Sequence, residues 1–480
     1  MRALVVDDSK PVRSIVTNVL RNLQFECSEA GNGQEALDAL AKGKRPELVT
    51  INWHMPVMDG IALVRTLRAD PRYKACKLLM ISTEHAHDRI AIAREAGVDG
   101  YVAKPFTAEA LTREITSLGL GQVAPTRTAR AVRVLVVDDS TTIRNLLSKV
   151  LSEDPEIEVV ATAENGQAGV DSVRRHVPDV VILDVEMPVM DGITALREIR
   201  RLHSRLPVIM FSSLTEKGAR ATLDALMAGA NDYVTKPTGG PADVAERIRR
   251  DLVDRIKTLT GRTQLPATQT ASTPATSLSS RPRQAATVKG IVIGVSTGGP
   301  TALAELLPHF APKAGVPVLI VQHMPAFFTA QLAERLTRLI GGDVREAVHG
   351  QSLGPNSVLL APGGKHMEVA RDGAFGRIRL TEAPPENSCR PAADVLFRTA
   401  ASVWGNGTLG LVLTGMGRDG LAGSRVIVQN GGAVLVQDEF TSVVWGMPGE
   451  VARAGLAEAV LPIAQLGAEI GLRLRRGKAS

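Results

Sequence analysis

The sequence predicts an α/β protein throughout: two copies of one parallel-sheet domain, followed by a doubly wound, mostly parallel α/β domain. Three observations carry this. Hydrophobic residues make up 44% of the 480 and aromatics only 3%, the profile of cores built from Val, Ile, Leu and Ala. Short apolar runs alternate with amphipathic stretches, the pattern of strands and crossover helices. Ala3-Leu4-Val5-Val6-Asp7-Asp8-Ser9 also returns as Val134-Leu135-Val136-Val137-Asp138-Asp139-Ser140. Met55-Pro56-Val57-Met58-Asp59-Gly60 and Tyr101-Val102-Ala103-Lys104-Pro105 return in the same way, as 187–192 and 233–237. A period of about 130 residues is far too long for a solenoid, so it marks a duplicated domain.

The elements follow in order. The first copy spans residues 1–118, and a Gly, Pro and Thr-containing stretch, 119–131, joins it to the second at 132–252. Within the second copy, Val134–Val137, Val180–Leu183 and Val208–Phe211 read as strands and Ile143–Leu151 as a helix. Residues 242–259 read as a charged helix leaving that copy. Residues 253–287 complete this helix and then turn rich in Thr, Ser, Pro, Ala and Gln, a composition for a flexible linker. The last domain, 288–475, opens on the apolar run Gly290–Val295, with a helix starting over Thr301–Leu307. Val316–Val321, Val358–Leu360, Leu409–Leu413 and Ala433–Val436 are further strands. Several end in Gly, Ser, His or Asp, where sites form in open parallel sheets.

Composition excludes several classes. The net charge of +6 comes from scattered Lys and Arg without a recognition helix, so neither nucleic-acid binding nor a transcriptional role is expected. Cys27, Cys76 and Cys389 are odd in number and far apart, which fits a reducing compartment rather than a disulfide framework or zinc site. No apolar run approaches the roughly 20 residues of a membrane span, and Asp7-Asp8 makes the start too acidic for a signal peptide. A cytoplasmic location with no membrane insertion is the expectation.

In the second copy, acidic and basic residues fall at successive strand ends: Asp138 and Asp139, then Asp184, then Lys236, with Ser212 closing another strand. An acidic pair for a hard divalent cation, a nucleophilic aspartate and a charge-neutralising lysine are what aspartyl phosphorylation requires. These residues resemble the receiver domains of two-component response regulators. The resemblance implies a flavodoxin-like fold with a five-stranded parallel sheet and phosphoryl transfer from a histidine kinase. It implies Asp184 as acceptor, Mg²⁺ held by Asp138, Asp139, Asp184 and the Glu186 carbonyl, and Ser212, Tyr233 and Lys236 as switch residues. The first copy keeps Asp7, Asp8, Ser82, Tyr101 and Lys104 but has Asn52 at the acceptor position. An amide has the shape of a carboxylate without its charge or nucleophilicity, so residues 1–118 are expected to form a pseudo-receiver that takes no phosphate. A role in docking, dimerisation or restraint is one reading, and a retained fold with no separate role is the other.

The last domain carries Gly294-Val295-Ser296-Thr297-Gly298-Gly299-Pro300 between a buried strand and a helix. Glycines there permit the sharp turn that exposes a serine hydroxyl beside free N–H groups of a helix start. His323 ends the apolar run Val316–Gln322, and His366, in Ala361-Pro362-Gly363-Gly364-Lys365-His366, competes with it as the base. Asp419, set among glycines in Leu413–Gly420, is the candidate orienting acid. The chain order Ser, His, Asp differs from that of α/β-hydrolases, so that fold is disfavoured. Together with Gln322-His323-Met324-Pro325, Ala361-Pro362-Gly363, Arg390-Pro391 and Trp445-Gly446-Met447-Pro448-Gly449, these motifs make residues 290–474 similar to the catalytic domain of the chemotaxis protein-glutamate methylesterases, the CheB family. The resemblance implies Ser296 as nucleophile, His323 rather than His366 as base, Asp419 as acid, and Thr297 and Met416 near the oxyanion, with no cofactor for the esterase. It implies glutamyl methyl esters of methyl-accepting chemoreceptors as substrates, possible deamidation of receptor glutamines, and a chemotaxis-type histidine kinase as partner. A non-catalytic scaffold or phosphate sink is the alternative. Cys389, where the family often has His, departs from the pattern at the rim of the expected cleft.

Overall fold

The computed structural model describes all residues except 43–44, 83–86, 105, 107, 121–130, 214, 237–240, 262–286 and 477–480. The expected linkers at 119–131 and 253–287 therefore lie largely outside the described residues. The chain divides into two compact units, Met1–Arg130 and Ala131–Ser480.

In the first unit, β1 (Arg2–Val6), β2 (Glu26–Ala30), β3 (Leu48–Asn52), β4 (Lys77–Ser82) and β5 (Gly100–Ala103) form one sheet ordered β2-β1-β3-β4-β5. Every pair is parallel. Leu48, Val49, Thr50 and Ile51 are all buried because the central strand is covered on both faces, which is why it reads as a run rather than an alternation. Asp7 and Asp8 follow β1, Asn52 ends β3 and Lys104 follows β5, so all four meet at the carboxyl edge.

The second unit repeats this plan with β6 (Val132–Val137), β7 (Ile157–Ala163), β8 (Val180–Asp184), β9 (Val208–Ser212) and β10 (Asp232–Thr235), in the order β7-β6-β8-β9-β10. Gly192 opens the helix after β8, capped by Asp191, whose carboxylate accepts from the Thr194 N–H at 2.8 Å. A Cβ at Gly192 would lie 1.9 Å from the Asp184 carbonyl oxygen, so only glycine lets the chain return this closely past the acceptor. The charged helix runs from Pro241 to Leu259 but carries a π-helical turn at Arg249–Val253. Such turns mark a local rearrangement of the hydrogen-bond ladder.

The final sheet is larger. Its strands are β11 (Gly290–Val295), β12 (Val318–Gln322), β13 (Val344–Glu346), β14 (Val358–Leu360), β17 (Thr408–Val412), β18 (Ala433–Gln437) and β19 (Ala459–Leu461). They are ordered β13-β14-β12-β11-β17-β18-β19 and all parallel. A separate antiparallel hairpin joins β15 (His366–Ala370) to β16 (Arg377–Thr381). The chain adds strands to one side of β11 and then to the other, so β11 is the switch point beside which a crevice opens at the carboxyl edge.

The receiver-like half and the final sheet of the second unit share one apolar core. Leu223 and Leu226 belong to the same buried cluster as Leu303, Phe328 and Leu332. The helix Glu216–Met227 thus packs on the two helices, Gly299–Leu306 and Ala326–Ile340, that follow Ser296 and His323. No helix among the described residues is long and apolar enough to cross a membrane.

Candidate active site and phosphate-accepting site

Strand register places the serine beside the histidine. Val295 on β11 pairs with Gln322 on β12, so Ser296 and His323 are the next residues beyond a matched pair, and the His323 N–H donates to the Val295 carbonyl at 3.1 Å. On the other side of β11 the Ser296 N–H donates to the Thr414 carbonyl at 3.0 Å, which ties the serine to the loop after β17. A Cβ on Gly415 in that loop would stand 2.8 Å from Ser296 Cβ, so glycine is what permits the approach.

Asp419 comes from the same loop and is 2% exposed. Its carboxylate accepts from the Ala393 N–H at 2.6 Å, the Asp394 N–H at 3.0 Å, the Gly420 N–H at 3.0 Å and Asn387 Nδ2 at 3.1 Å. These donors include the first turn of the helix Ala393–Trp404, where a negative charge is favoured. Its remaining partner is His323 Nε2 at 2.7 Å. Burial alone drives a carboxyl group up, but His323 and the backbone N–H groups outweigh it and hold Asp419 below its usual range. For His323, burial favours the neutral ring, yet Asp419 and then Cys389 overcome it and raise the imidazole to about 10.

The other imidazole nitrogen, Nδ1, lies 3.5 Å from Cys389 Sγ. A tight turn delivers that sulfur. Glu386 and Cys389 exchange backbone bonds of 3.0 and 2.9 Å around Asn387 and Ser388, which take φ values of 52° and 63°. Two consecutive left-handed residues make the two-residue hairpin geometry, at about 1–2 kcal/mol for each non-glycine residue. Arg398 anchors the turn through a two-pronged bond to Glu386 at 2.6 Å. Asn387 spans Asp419 and Asp394, reaching Asp394 Oδ2 at 2.9 Å. Burial and the adjacent Asp419 push Asp394 up to about 6, against the Gly423 N–H and Asn387, which lower it.

Among the described residues, Ser296 Oγ makes no hydrogen bond, and neither do the N–H groups of Thr297 and Met416. The side chains of Thr297 and Met416 reach instead into the receiver-like half. Thr297 Oγ1 donates to Asp232 Oδ2 at 2.8 Å, an oxygen also paired with Arg255 at 3.1 Å. Met416 Sδ accepts from Thr258 Oγ1 at 3.4 Å. His366 lies apart from this group. It is 1% exposed, with Nε2 against the Pro384 carbonyl at 3.1 Å and Nδ1 accepting from the Ala392 N–H at 3.2 Å, a satisfied core histidine.

At the edge of the second sheet, Asp138, Asp139 and Asp184 each offer an oxygen within 4.8 Å of the others, a hard-oxygen set suited to Mg²⁺. Lys236 Nζ contacts Asp184 at 2.8 Å and Asp138 at 2.9 Å. Burial pushes Asp184 up to about 6 despite that lysine. Glu186 is exposed, with its side chain paired to Lys217 at 3.0 Å. Ser212 Oγ does not face the acceptor: it receives Thr222 Oγ1 at 2.6 Å and lies 3.2 Å from the Gly218 carbonyl. The Tyr233 ring stacks on Phe328 of the final domain at 4.7 Å.

In the first unit the same edge is closed by an amide. Asn52 Nδ2 donates to Asp8 at 2.9 Å, and Lys104 reaches Asn52 Oδ1 at 3.1 Å and Asp7 at 2.6 Å. The amide N–H occupies an oxygen of Asp8, and the lysine is shared between Asp7 and the amide oxygen.

The CheB methylesterase family model matches residues 291–470, and the response regulator receiver domain model matches 3–116 and again 134–249. A protein-glutamate methylesterase/protein-glutamine glutaminase of Nocardioides sp. is 54% identical over 358 residues, covering 73% of this chain and 97% of that protein. One of the same name from Trichodesmium erythraeum is 46% identical over 71% of this chain and 99% of its own length. The chain belongs to the CheB methylesterase family. Among solved structures it is similar to the Thermotoga maritima CheB methylesterase catalytic domain, with 36% identity, TM-score 0.38, and coverage of 38% of this chain and 98% of that one. More than a quarter of this CheB-family chain lies outside the match to the Nocardioides relative.

Sequence reasoning passed over Asn387, Asp394, Asp232, Thr258 and Phe328 in this CheB-family site. The Asn-Ser pair before Cys389 was the available signal for a tight turn, whereas nothing in the pattern of 232 or 258 announces a contact with a distant domain. The amide lock at residue 52 leads to a prediction. In chains carrying Asp184→Ala, incubation with acetyl phosphate and Mg²⁺ leaves no acyl phosphate on the chain, while Asn52→Asp in the same background restores labelling. Labelling of the Asp184→Ala chain itself would contradict it.

Proposed function

We propose that this chain is a phosphorylation-regulated serine esterase that hydrolyses glutamyl methyl esters on methyl-accepting chemoreceptors, and that it also deamidates receptor glutamines. The observation that carries the reading is the pair of half-buried His323 and buried Asp419, 2.7 Å apart, one strand over from Ser296 at the carboxyl edge of the last sheet. The names of the relatives supply the substrate class.

With Nε2–H donated to Asp419, the lone pair of His323 sits on Nδ1, and this nitrogen takes the Ser296 proton. Ser296 Oγ bonds to the γ-carbonyl carbon, and the charge that develops on the carbonyl oxygen is met by the N–H groups of Thr297 and Met416. The imidazolium returns its proton to the departing methoxide, methanol leaves, and water releases glutamate by the reverse sequence. A glutamine presents the same carbonyl with ammonia as the leaving group.

Regulation works through the shared core. The receiver-like half holds Thr297 through Asp232 and Met416 through Thr258, and it lies over both helices that follow the serine and histidine. Phosphorylation of Asp184 by a chemotaxis-type histidine kinase shifts the population toward an arrangement in which those contacts are released, provided the phosphate interacts more favourably with that state. Mg²⁺ held by Asp138, Asp139, Asp184 and the Glu186 carbonyl supplies the charge that makes transfer to Asp184 feasible. Lys236 steadies the phosphoryl oxygens, and Ser212 and Tyr233 read the change, the latter directly into Phe328. The expected place of action is the cytoplasmic side of the membrane, where kinase and methylated receptor segments meet.

Ser296→Ala is expected to remove methanol release from methyl-labelled receptor to below a few per cent while leaving Asp184 phosphorylation intact; retention of activity would refute the nucleophile. In the unmutated chain, acetyl phosphate should raise the methanol rate, and Asp184→Ala should remove that response. The pH profile follows from the raised imidazole. A base must be neutral, the cationic form of His323 dominates below about 10, and so kcat/KM should climb with pH across the alkaline range. A plateau reached by pH 7.5 would contradict this assignment.

A further inference from the structure

We propose that Cys389 is a covalent modification site, a nucleophilic thiol that shares His323 with the serine, and that its capture by a small electrophile switches the esterase off. The inference rests on the hydrolase reading for its consequence, but not for the reactivity of the thiol.

The geometry is that of a nucleophile and its base. Cys389 Sγ stands 3.5 Å from His323 Nδ1, and His323 Nε2 is held by Asp419 at 2.7 Å, so thiol, imidazole and carboxylate form one relay. Nδ1 is the only imidazole nitrogen left free by Asp419, hence the same nitrogen that must accept the Ser296 proton. Two nucleophiles therefore converge on one base. The turn that carries the sulfur is held in place, because Glu386 is bonded to Arg398, Asn387 to Asp394 and Asp419, and residues 386 and 389 to each other.

The other cysteines provide an internal comparison. Cys76 is buried, and burial pushes its thiol up to about 12. Cys27 is half-buried and is also raised, chiefly by burial and against the lowering charge of Arg21, with carbonyl oxygens 3.7 and 3.9 Å from its sulfur. Cys389 alone combines partial exposure, beside the exposed Asn387 and Ser388, with a basic nitrogen. A thiolate formed against an imidazolium is the reactive form of cysteine.

With iodoacetamide as the electrophile, the sulfur gives up its proton, to Nδ1 where the ring is neutral and to solvent where the ring is already an imidazolium; an S–C bond forms, the C–I bond breaks and iodide departs. The added amide then occupies the space beside Nδ1 that Ser296 needs. No oxidant or reductant takes part.

The test treats the full chain with iodoacetamide at neutral pH and follows each cysteine by peptide mass spectrometry alongside methanol release. Cys389 should be alkylated at least tenfold faster than Cys27 or Cys76, and in His323→Gln its rate should fall at least tenfold although the site becomes no less accessible. Loss of methanol release should track Cys389 labelling one for one. A Cys389→Ala chain, treated alike, should keep its own untreated rate within twofold. Alkylation of Cys389 no faster than Cys27, an unchanged rate in His323→Gln, or full labelling with methanol release retained would each overturn the proposal. The alkylation rates decide the thiol whatever the enzyme activity, so an untreated chain that releases no methanol would count against the hydrolase reading and not against the thiol.

Discussion

The buried carboxylate of Asp419 is the constraint on which the rest of this molecule turns. At 2% exposure, an unpaired anion would cost several kcal/mol. The charge is retained because backbone N–H groups from one helix start, the Gly420 N–H and the Asn387 amide converge on it. Those donors fix its position before any substrate arrives, and through Oδ2, which accepts from both the Ala393 N–H and the ring, they fix the orientation of His323. Removing the histidine would leave a buried charge short of a partner, whereas removing the carboxylate would free the ring to rotate. Orientation, more than proton uptake, is therefore what Asp419 contributes.

The same arrangement explains why control can come from a neighbouring domain without any change in the chemistry. Thr297 and Met416 sit on loops at the edge of the sheet, and each has a side-chain partner in the receiver-like half. The helices behind Ser296 and His323 are buried against Glu216–Met227, whose residue Asp224 forms an ion pair with Arg335. Packed interfaces of this kind have discrete arrangements rather than a continuous range. The stack of Tyr233 on Phe328 ties the receiver-like half to the helix that follows the histidine.

Much of this was legible in the sequence because it depends on local chemistry. The duplicated Val-Val-Asp-Asp runs specify buried strands ending in acids, and Asn52 declares its own lack of nucleophilicity. Gly294–Pro300 encodes a turn that only glycine-rich sequence allows. The edge strands Val344–Glu346 and Ala459–Leu461 escaped, since each is short and, at the margin of the sheet, lacks the fully apolar run that marks Val358–Leu360. Also unread was the fusion of the second copy with the last domain into a single unit. Nothing local distinguishes the apolar face of Glu216–Met227, which meets another domain, from a face that meets its own sheet. The hydroxyl of Ser212, expected as a switch residue, lies against Thr222 and Gly218, a rotamer that sequence does not encode. The bridging role of Asn387 was invisible for a similar reason, because its partners lie far along the chain.

The most direct test of the account is the effect of Asp419→Asn on methanol release, with Asp184 phosphorylation measured in the same preparation as a check on folding. The amide keeps the shape but presents the wrong hydrogen to the ring, so a fall in kcat of about 10³–10⁴-fold with phosphorylation unchanged is expected. A loss smaller than tenfold in a chain that still accepts phosphate would show that the carboxylate does not organise the site.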